Sequence, residues 1–327
     1  MDISSLTIEQ LHRAFEENDY ICERELAITV YLALKLGKPL LVEGAPGVGK
    51  TEIAKVLSRV FATDLIRLQC YEGLDENKSL YEWNYQRQLL KIQMLKESGA
   101  CGEEAENDLF GPGYLLERPL LKAIRAPKQV VLLIDEVDKV DEEFEAFLFE
   151  VLSDFQVSIP ELGTLQARQI PIVVLTSNGE RDLSDGLKRR CVYLYIDYPG
   201  VDKEVRILRV KVPEARERLT REVARAVQYI RENIELRKKP AISEAIDWTR
   251  ALVALGADSL TPELVNHTLG LALKNKEDID LLLQSVGAGG IAERARLGPP
   301  GPFKAVPGAA PGHPHPPGCG CTAGAKK

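Results

Sequence analysis

The eight residues Gly44-Ala45-Pro46-Gly47-Val48-Gly49-Lys50-Thr51 constrain this chain more than any other feature. They fit the pattern G-x-x-x-x-G-K-[ST], and the chemistry explains the spacing. Glycines let the backbone curl until several N–H groups face one anion. The dipole of a following helix adds partial positive charge at the same point. Lys50 is then placed to reach the β- and γ-phosphates of a nucleotide, and Thr51 to offer its hydroxyl to Mg²⁺. The flanks agree. The apolar run Pro39-Leu40-Leu41-Val42, ending in Glu43, reads as a buried parallel strand. Ile53, Val56, Leu57 and Val60 recur at helical spacing after the loop.

The same alternation continues. Leu65-Ile66-Arg67-Leu68, Val130 to Ile134, Ile170 to Leu175 and Cys191 to Ile196 read as strands. Residues 6–36, residues 78–98 and the stretch around Phe144, Leu148 and Leu152 read as helical. Strands alternating with helices predict a parallel α/β sheet covered on both faces, here over residues 1–199. After Pro199-Gly200 only helical patterns follow, which predicts a small all-helical domain over 200–284. Residues 285–327 are expected to be a disordered tail, because 8 Pro and 7 Gly fall within its last 30 residues.

The strand Val130 to Ile134 runs into Asp135 and Glu136. Acids at the C-terminal end of a buried strand lie at the crevice where open α/β sheets bind ligands. Asp135 is placed to hold Mg²⁺ through water, and Glu136 to orient or deprotonate an attacking water. That second carboxylate points to hydrolysis of ATP. Asp138-Lys139-Val140-Asp141, directly after it, reads as a solvated helix start.

Charge and composition narrow the classes. Lys+Arg is 42 against Asp+Glu 49, a formal charge of −7. This argues against non-specific nucleic-acid binding as the main task. No run approaches the roughly 18 apolar residues of a membrane span. The start Met1-Asp2-Ile3-Ser4-Ser5 lacks a basic segment and apolar run, and the six cysteines are mostly scattered singly. Both features predict a cytoplasmic chain with free thiols.

Taken together, these segments resemble AAA+ ATPases of the MoxR family. The resemblance is carried by Leu41-Val42-Glu43 into the phosphate loop (Walker A) and by Leu132 to Lys139 (Walker B). It extends to Ile159-Pro160-Glu161-Leu162-Gly163-Thr164, Val174 to Asn178, Arg181-Asp182-Leu183-Ser184 and Arg189-Arg190-Cys191. With Tyr81-Glu82-Trp83-Asn84-Tyr85 it is most similar to the CoxD-like branch, associated with carbon monoxide dehydrogenase-type molybdenum hydroxylases. The resemblance implies a P-loop AAA+ fold with a helical lid. It implies Asn178 as sensor 1 and Arg190 as an arginine finger reaching a neighbouring subunit, with Arg189 the competitor. A lid arginine would be sensor 2, yet Ala241-Ile242-Ser243-Glu244-Ala245 holds a Glu at that place, so none is assigned. Either Arg250 substitutes, or the lid meets nucleotide differently. Tyr20-Ile21 stands either at an adenine pocket or in the core.

The family further implies an ATP-driven chaperone or remodeller acting as a homo-oligomeric, hexameric ring. Its partner would carry a von Willebrand factor A domain, and its client would be a metalloenzyme awaiting its cofactor. The long connection Leu80–Leu121, with acids Glu103 to Asp108, and the hairpin Gln156–Arg168 are expected client contacts. His313, His315, Cys319 and Cys321 in the tail have the chemistry to take a soft metal, but a Pro/Gly chain gives no preorganised cage. Two other readings stand beside the remodeller: a nucleotide-gated switch with little turnover, and a DNA-directed motor.

Overall fold

The computed structural model describes residues 1–98, 111–159 and 162–297. The acids 103–108, the hairpin tip Pro160-Glu161 and the tail 298–327 with its His and Cys residues lie outside them. The strands, in chain order, are β1 (Leu40–Gly44), β2 (Leu65–Gln69), β3 (Tyr81–Trp83), β4 (Leu115–Glu117), β5 (Val131–Asp135), β6 (Gln156–Ile159), β7 (Gly163–Gln166), β8 (Ile172–Ser177) and β9 (Val192–Ile196). Five of them form one parallel sheet in the order β2-β5-β8-β1-β9. β3 pairs antiparallel with β4, and β6 with β7.

Period-two alternation explains how this sheet is buried on both sides. Leu132 and Ile134 of β5, with Val173 and Leu175 of β8, enter one core. That core holds the helices Pro119–Arg125 and Glu142–Asp154. Val131, Leu133, Ile172 and Val174 face the other core, under the helices Ile8–Glu17, Arg24–Leu36 and Lys50–Val60. Each strand thus feeds two layers, which is why these runs read as continuously apolar. A parallel sheet with helices on both faces is the α/β architecture expected over residues 1–199.

Order in space sets the functional edge. From β1 the chain crosses to β2 at one end of the sheet; from β8 it crosses to β9 at the other. The crevice between the C-terminal ends of β1 and β8 is a topological switch point, where such sheets bind ligands.

A third core builds the helical part. Helix Glu217–Asn233 lays Leu219, Val223, Val227 and Ile230 against Trp248, Leu252 and Leu269. The fully buried Trp248 donates its indole N–H to Thr268 Oγ1 at 2.7 Å. Arg231, also buried, donates to both oxygens of Glu204 at 2.7 and 2.8 Å and to Pro240 O at 2.6 Å.

Three expectations need correction. Residues 6–36 form two helices, broken at Asn18–Glu23 where Asp19 takes φ 59° and the Thr7 capping box starts the first. The helical reading of 78–98 is interrupted by β3, whose Trp83 turns into the core beside Leu115. The boundary at 285 also moves: Gly287–Leu297 is a helix, with Ile291, Ala292 and Ala295 buried in the third core. Its small residues Ala288, Ala292 and Ala295 are the ones turned into that core.

Candidate nucleotide-binding site

The loop after β1 has the conformation its glycines predict. Gly44 has φ 156°, near extended, yet a Cβ there would stand 2.2 Å from Ile196 O on β9. Gly47 and Gly49 have φ 77° and 97°, in the left-handed region. A Cβ on Gly47 would lie 2.4 Å from Ser243 Oγ and 2.8 Å from Ala241 Cβ. The start of the helix Ile242–Ala254 therefore rests on the phosphate loop, and Ser243 N donates to Gly47 O at 3.4 Å.

Lys50 begins the helix that follows and is 7% exposed. Its ammonium donates to Gly44 O at 2.7 Å, Ala45 O at 2.9 Å and Asn178 Oδ1 at 2.8 Å. Burial lowers its pKa, while the carboxylates of Asp138, Asp135, Glu136 and Glu43 act to raise it. Thr51 donates its hydroxyl to Asp135 Oδ1 at 3.0 Å.

Asp135 ends β5 and is buried. Its Oδ1 also accepts the Thr176 hydroxyl at 2.6 Å, and its Oδ2 pairs with Arg67 on β2. Glu136 sits in the left-handed region, φ 59° and ψ 51°, with its N–H donated to Thr176 Oγ1 at 2.9 Å. Its carboxylate takes Lys139 Nζ at 2.8 Å and Gln69 Nε2 at 3.1 Å. Asn178 follows β8, so its amide reaches Lys50 across the crevice.

The structure thus gathers two hydrogen-bonded pairs, Lys50–Asn178 and Thr51–Asp135, into one group with Glu136 at its rim. Arg190 is absent from that group. It ends the helix Asp185–Arg190, is exposed, and lies 4.0 Å above the Phe149 ring. Arg189 beside it is also exposed. Arg250 turns to Lys211 O and Asp247, and Glu244 closes the capping of its own helix by accepting Ala241 N and Ser243 Oγ. Tyr20 and Ile21 line a cavity of about 230 Å³ with Gly47, Ile196, Ile242 and Ile246, opening off the loop. A larger hollow of about 340 Å³ lies by Leu40 and Ile172, at the opposite ends of the strands.

Four residues escaped the sequence reading. Arg67 and Gln69 reach the acids because β2 lies beside β5, with Gln69 opposite Asp135. Thr176 bridges Asp135 and Glu136. Asp138, expected in solvent, is 4% exposed, and its Oδ2 accepts the N–H groups of Asn178 and Glu180, each at 3.0 Å. For Thr176 the available signal was a polar residue ending an apolar strand.

The residues fit a magnesium nucleotide. Hydroxyl and carboxylate oxygens of Thr51 and Asp135 are the hard donors Mg²⁺ takes. Gly44 and Gly47 permit close approaches, to Ile196 O and Ser243 Oγ, that any side chain would block, while Gly49 leaves open space beside the loop.

Residues 39–191 match the family model of the AAA domain, dynein-related subfamily. An uncharacterised protein of Staphylococcus aureus (strain bovine RF122 / ET3-1) is 28% identical over 231 residues, 67% of this chain and 77% of that protein. The chaperone protein ClpB of Bacillus cereus (strain ATCC 10987 / NRS 248) is 27% identical over 150 residues, 44% of this chain and 14% of ClpB. Among solved structures, the RuvB Holliday junction branch migration motor of Thermotoga maritima aligns at 17% identity and TM-score 0.45, covering 78% of this chain and 69% of that one. Among the described residues, no helix is long and apolar enough to cross a membrane.

Proposed function

We propose that the chain is an ATP-hydrolysing remodelling chaperone whose sites are completed between subunits of a ring. The observation that carries this reading is the convergence of Lys50, Thr51, Asp135, Glu136 and Asn178 at one crevice. In this reading the loop amides and Lys50 hold the phosphates, and Lys50 exchanges its loop carbonyls for phosphate oxygens. Thr51 and Asp135 would hold Mg²⁺, which would supply positive charge against the phosphates. Glu136 orients and deprotonates the water, and Asn178 donates its amide N–H to the γ-phosphate or the water. The apolar slot at Tyr20, Ile21 and Ile246 takes the base, and its wall at Ile242-Ser243 ties nucleotide to the helical part.

Arg190 is the trans-acting finger in this account. Its exposed guanidinium rests on the Phe149 ring of its own subunit and pairs with no carboxylate among the described residues, which leaves its N–H donors for a neighbour's phosphate. The ring is hexameric, the partner carries a von Willebrand factor A domain, and the client is a molybdenum hydroxylase-type enzyme awaiting its metal cofactor. These three points rest on the resemblance in the phosphate loop, the acidic strand end and Val174 to Ser184. ATPase activity per subunit should rise with protein concentration as mass increases, and Arg190→Ala should lose turnover while still assembling. A monomer working at full rate would remove the shared site.

One observation favours a slower device. The Glu136 carboxylate is engaged by Lys139 and Gln69. A nucleotide-gated switch would keep it so, and its turnover would be unaffected by Glu136→Gln.

A further inference from the structure

Asp138 has no part in the scheme above, yet it is as deeply buried as Asp135. It lies three residues beyond Asp135, in the short 3₁₀ turn Val137–Lys139, and is 4% exposed. A carboxylate out of water is costly unless its oxygens are paired. Here the pairing is uneven. Oδ2 accepts two backbone N–H groups, from Asn178 and Glu180, while Oδ1 is buried with no hydrogen-bond partner among the described residues. Asp138 is also the acid that acts most strongly on buried Lys50. The two amides it holds flank Gly179, at φ 73°, in the turn by which the chain leaves β8.

The far end of that turn has a separate anchor. Glu145, 1% exposed, pairs with Arg181 and accepts Ser184 N at 2.9 Å, just where Ser184 caps the helix that ends in Arg190. The loop 178–184 is therefore held at both ends by carboxylates from the segment after β5. Only the Asp138 anchor lies beside the Asn178 side chain, whose Oδ1 accepts from Lys50 at 2.8 Å.

We propose that Asp138 is a positioning residue for ATP hydrolysis that acts through Asn178, fixing the turn after β8 so that the Asn178 amide stays at the crevice beside Lys50. The proposal rests on the hydrolytic reading of the site and adds a residue that reading does not use. The geometry also predicts which substitute serves. Both N–H groups go to Oδ2 and none to Oδ1, so an asparagine can keep both bonds through one carbonyl oxygen, with its NH₂ in place of Oδ1. An alanine keeps neither.

The test uses the full chain with Asp138→Ala, Asp138→Asn, Asn178→Ala and the double variant Asp138→Ala/Asn178→Ala. Steady-state turnover, affinity for a fluorescent ATP analogue, and amide exchange over 177–181 without nucleotide are measured for each. Losing a preorganised donor costs about 100-fold in kcat, so Asn178→Ala and Asp138→Ala should both fall by about that order. Analogue affinity should stay within about threefold, and the double variant should be no slower than Asn178→Ala, because residues acting as one unit are not additive. Exchange at 177–181 should accelerate in Asp138→Ala, and Asp138→Asn should restore both protection and most turnover.

Three results would overturn the assignment. If the double variant loses the product of the two single effects, Asp138 acts independently of Asn178. If Asp138→Ala melts lower but turns over normally, its role is structural alone. If exchange at 177–181 is unchanged, the clamp does not hold the turn. A wild-type chain with no turnover, or an Asn178→Ala variant as fast as wild type, fails earlier and shows that the hydrolytic reading itself is wrong.

Discussion

Thr176→Val tests the site without touching a residue that meets the phosphates. Thr176 is buried, donates to Asp135 Oδ1 at 2.6 Å and accepts the N–H of Glu136 at 2.9 Å. Valine matches its volume and removes both bonds. A buried N–H left without an acceptor costs about 1–3 kcal/mol. Glu136 occupies the left-handed region at φ 59°, unfavourable for an L-residue by roughly 1–2 kcal/mol, and the bond to Thr176 helps hold it there. The unpaired N–H predicts a loss of about 1–3 kcal/mol, which lowers the melting temperature by about 2–12 °C in a domain of this size. Displacing Glu136 by about 1 Å costs turnover about 100-fold, while affinity for a fluorescent ATP analogue holds because Lys50 and the loop amides are untouched. Thr176→Ser keeps the hydroxyl and should retain most of both. The assay pairs thermal melting with steady-state ATP turnover. A valine variant that melts and turns over like wild type would show that Thr176 does not set the geometry of the two acids.

Gly47→Ala places a Cβ against Ser243 Oγ and Ala241 Cβ at a left-handed backbone position, so nucleotide affinity should fall tenfold or more (about 1.4 kcal/mol or above), read by analogue titration. Unchanged affinity would mean the helical part does not press on the loop. Arg231→Met strands buried Glu204 and should cost about 3–5 kcal/mol by thermal or denaturant unfolding. Burial raises Glu204 to about 7 and Arg231 opposes that rise. An acid with a raised folded pKa favours the fold at low pH and loses that advantage as pH climbs through the folded value. The variant's deficit should therefore be smaller at pH 5 than at pH 8; a deficit independent of pH would contradict this. Burial pushes the thiols of Cys22, Cys70 and Cys191 up to about 12, so native alkylation at pH 8 should leave those three peptides unmodified by mass spectrometry until the chain unfolds.

What the sequence made legible was local. The phosphate loop, the strand before it and the helix after it are contiguous, so their chemistry and periodicity show in one window. The same holds for β5 running into Asp135-Glu136. Asp138 was misread because Asp-Lys-Val-Asp looks like any solvated helix start, and the amides that justify its burial lie 40 and 42 positions away. Arg67 and Gln69 carried no signal, since only the order β2-β5 sets them beside the two acids. The connection after residue 80 hid β3 because a three-residue strand has too few positions to show a period. The stretch 287–297 reads as one with the Pro/Gly-rich residues that follow it, and only the neighbouring helices, Glu217–Asn233 and Pro262–Ala272 among them, supply the surface against which it packs.

The measurement that bears most directly on the central claim is ATP turnover beside ATP binding, for wild type, Lys50→Ala and Glu136→Gln, with Mg²⁺ present and then chelated. The account predicts magnesium-dependent turnover in wild type and weak binding in Lys50→Ala. It predicts that Glu136→Gln holds ATP as tightly as wild type yet barely hydrolyses it. Undiminished turnover in Glu136→Gln, or equal binding in Lys50→Ala, would contradict the assignment of hydrolysis to this crevice.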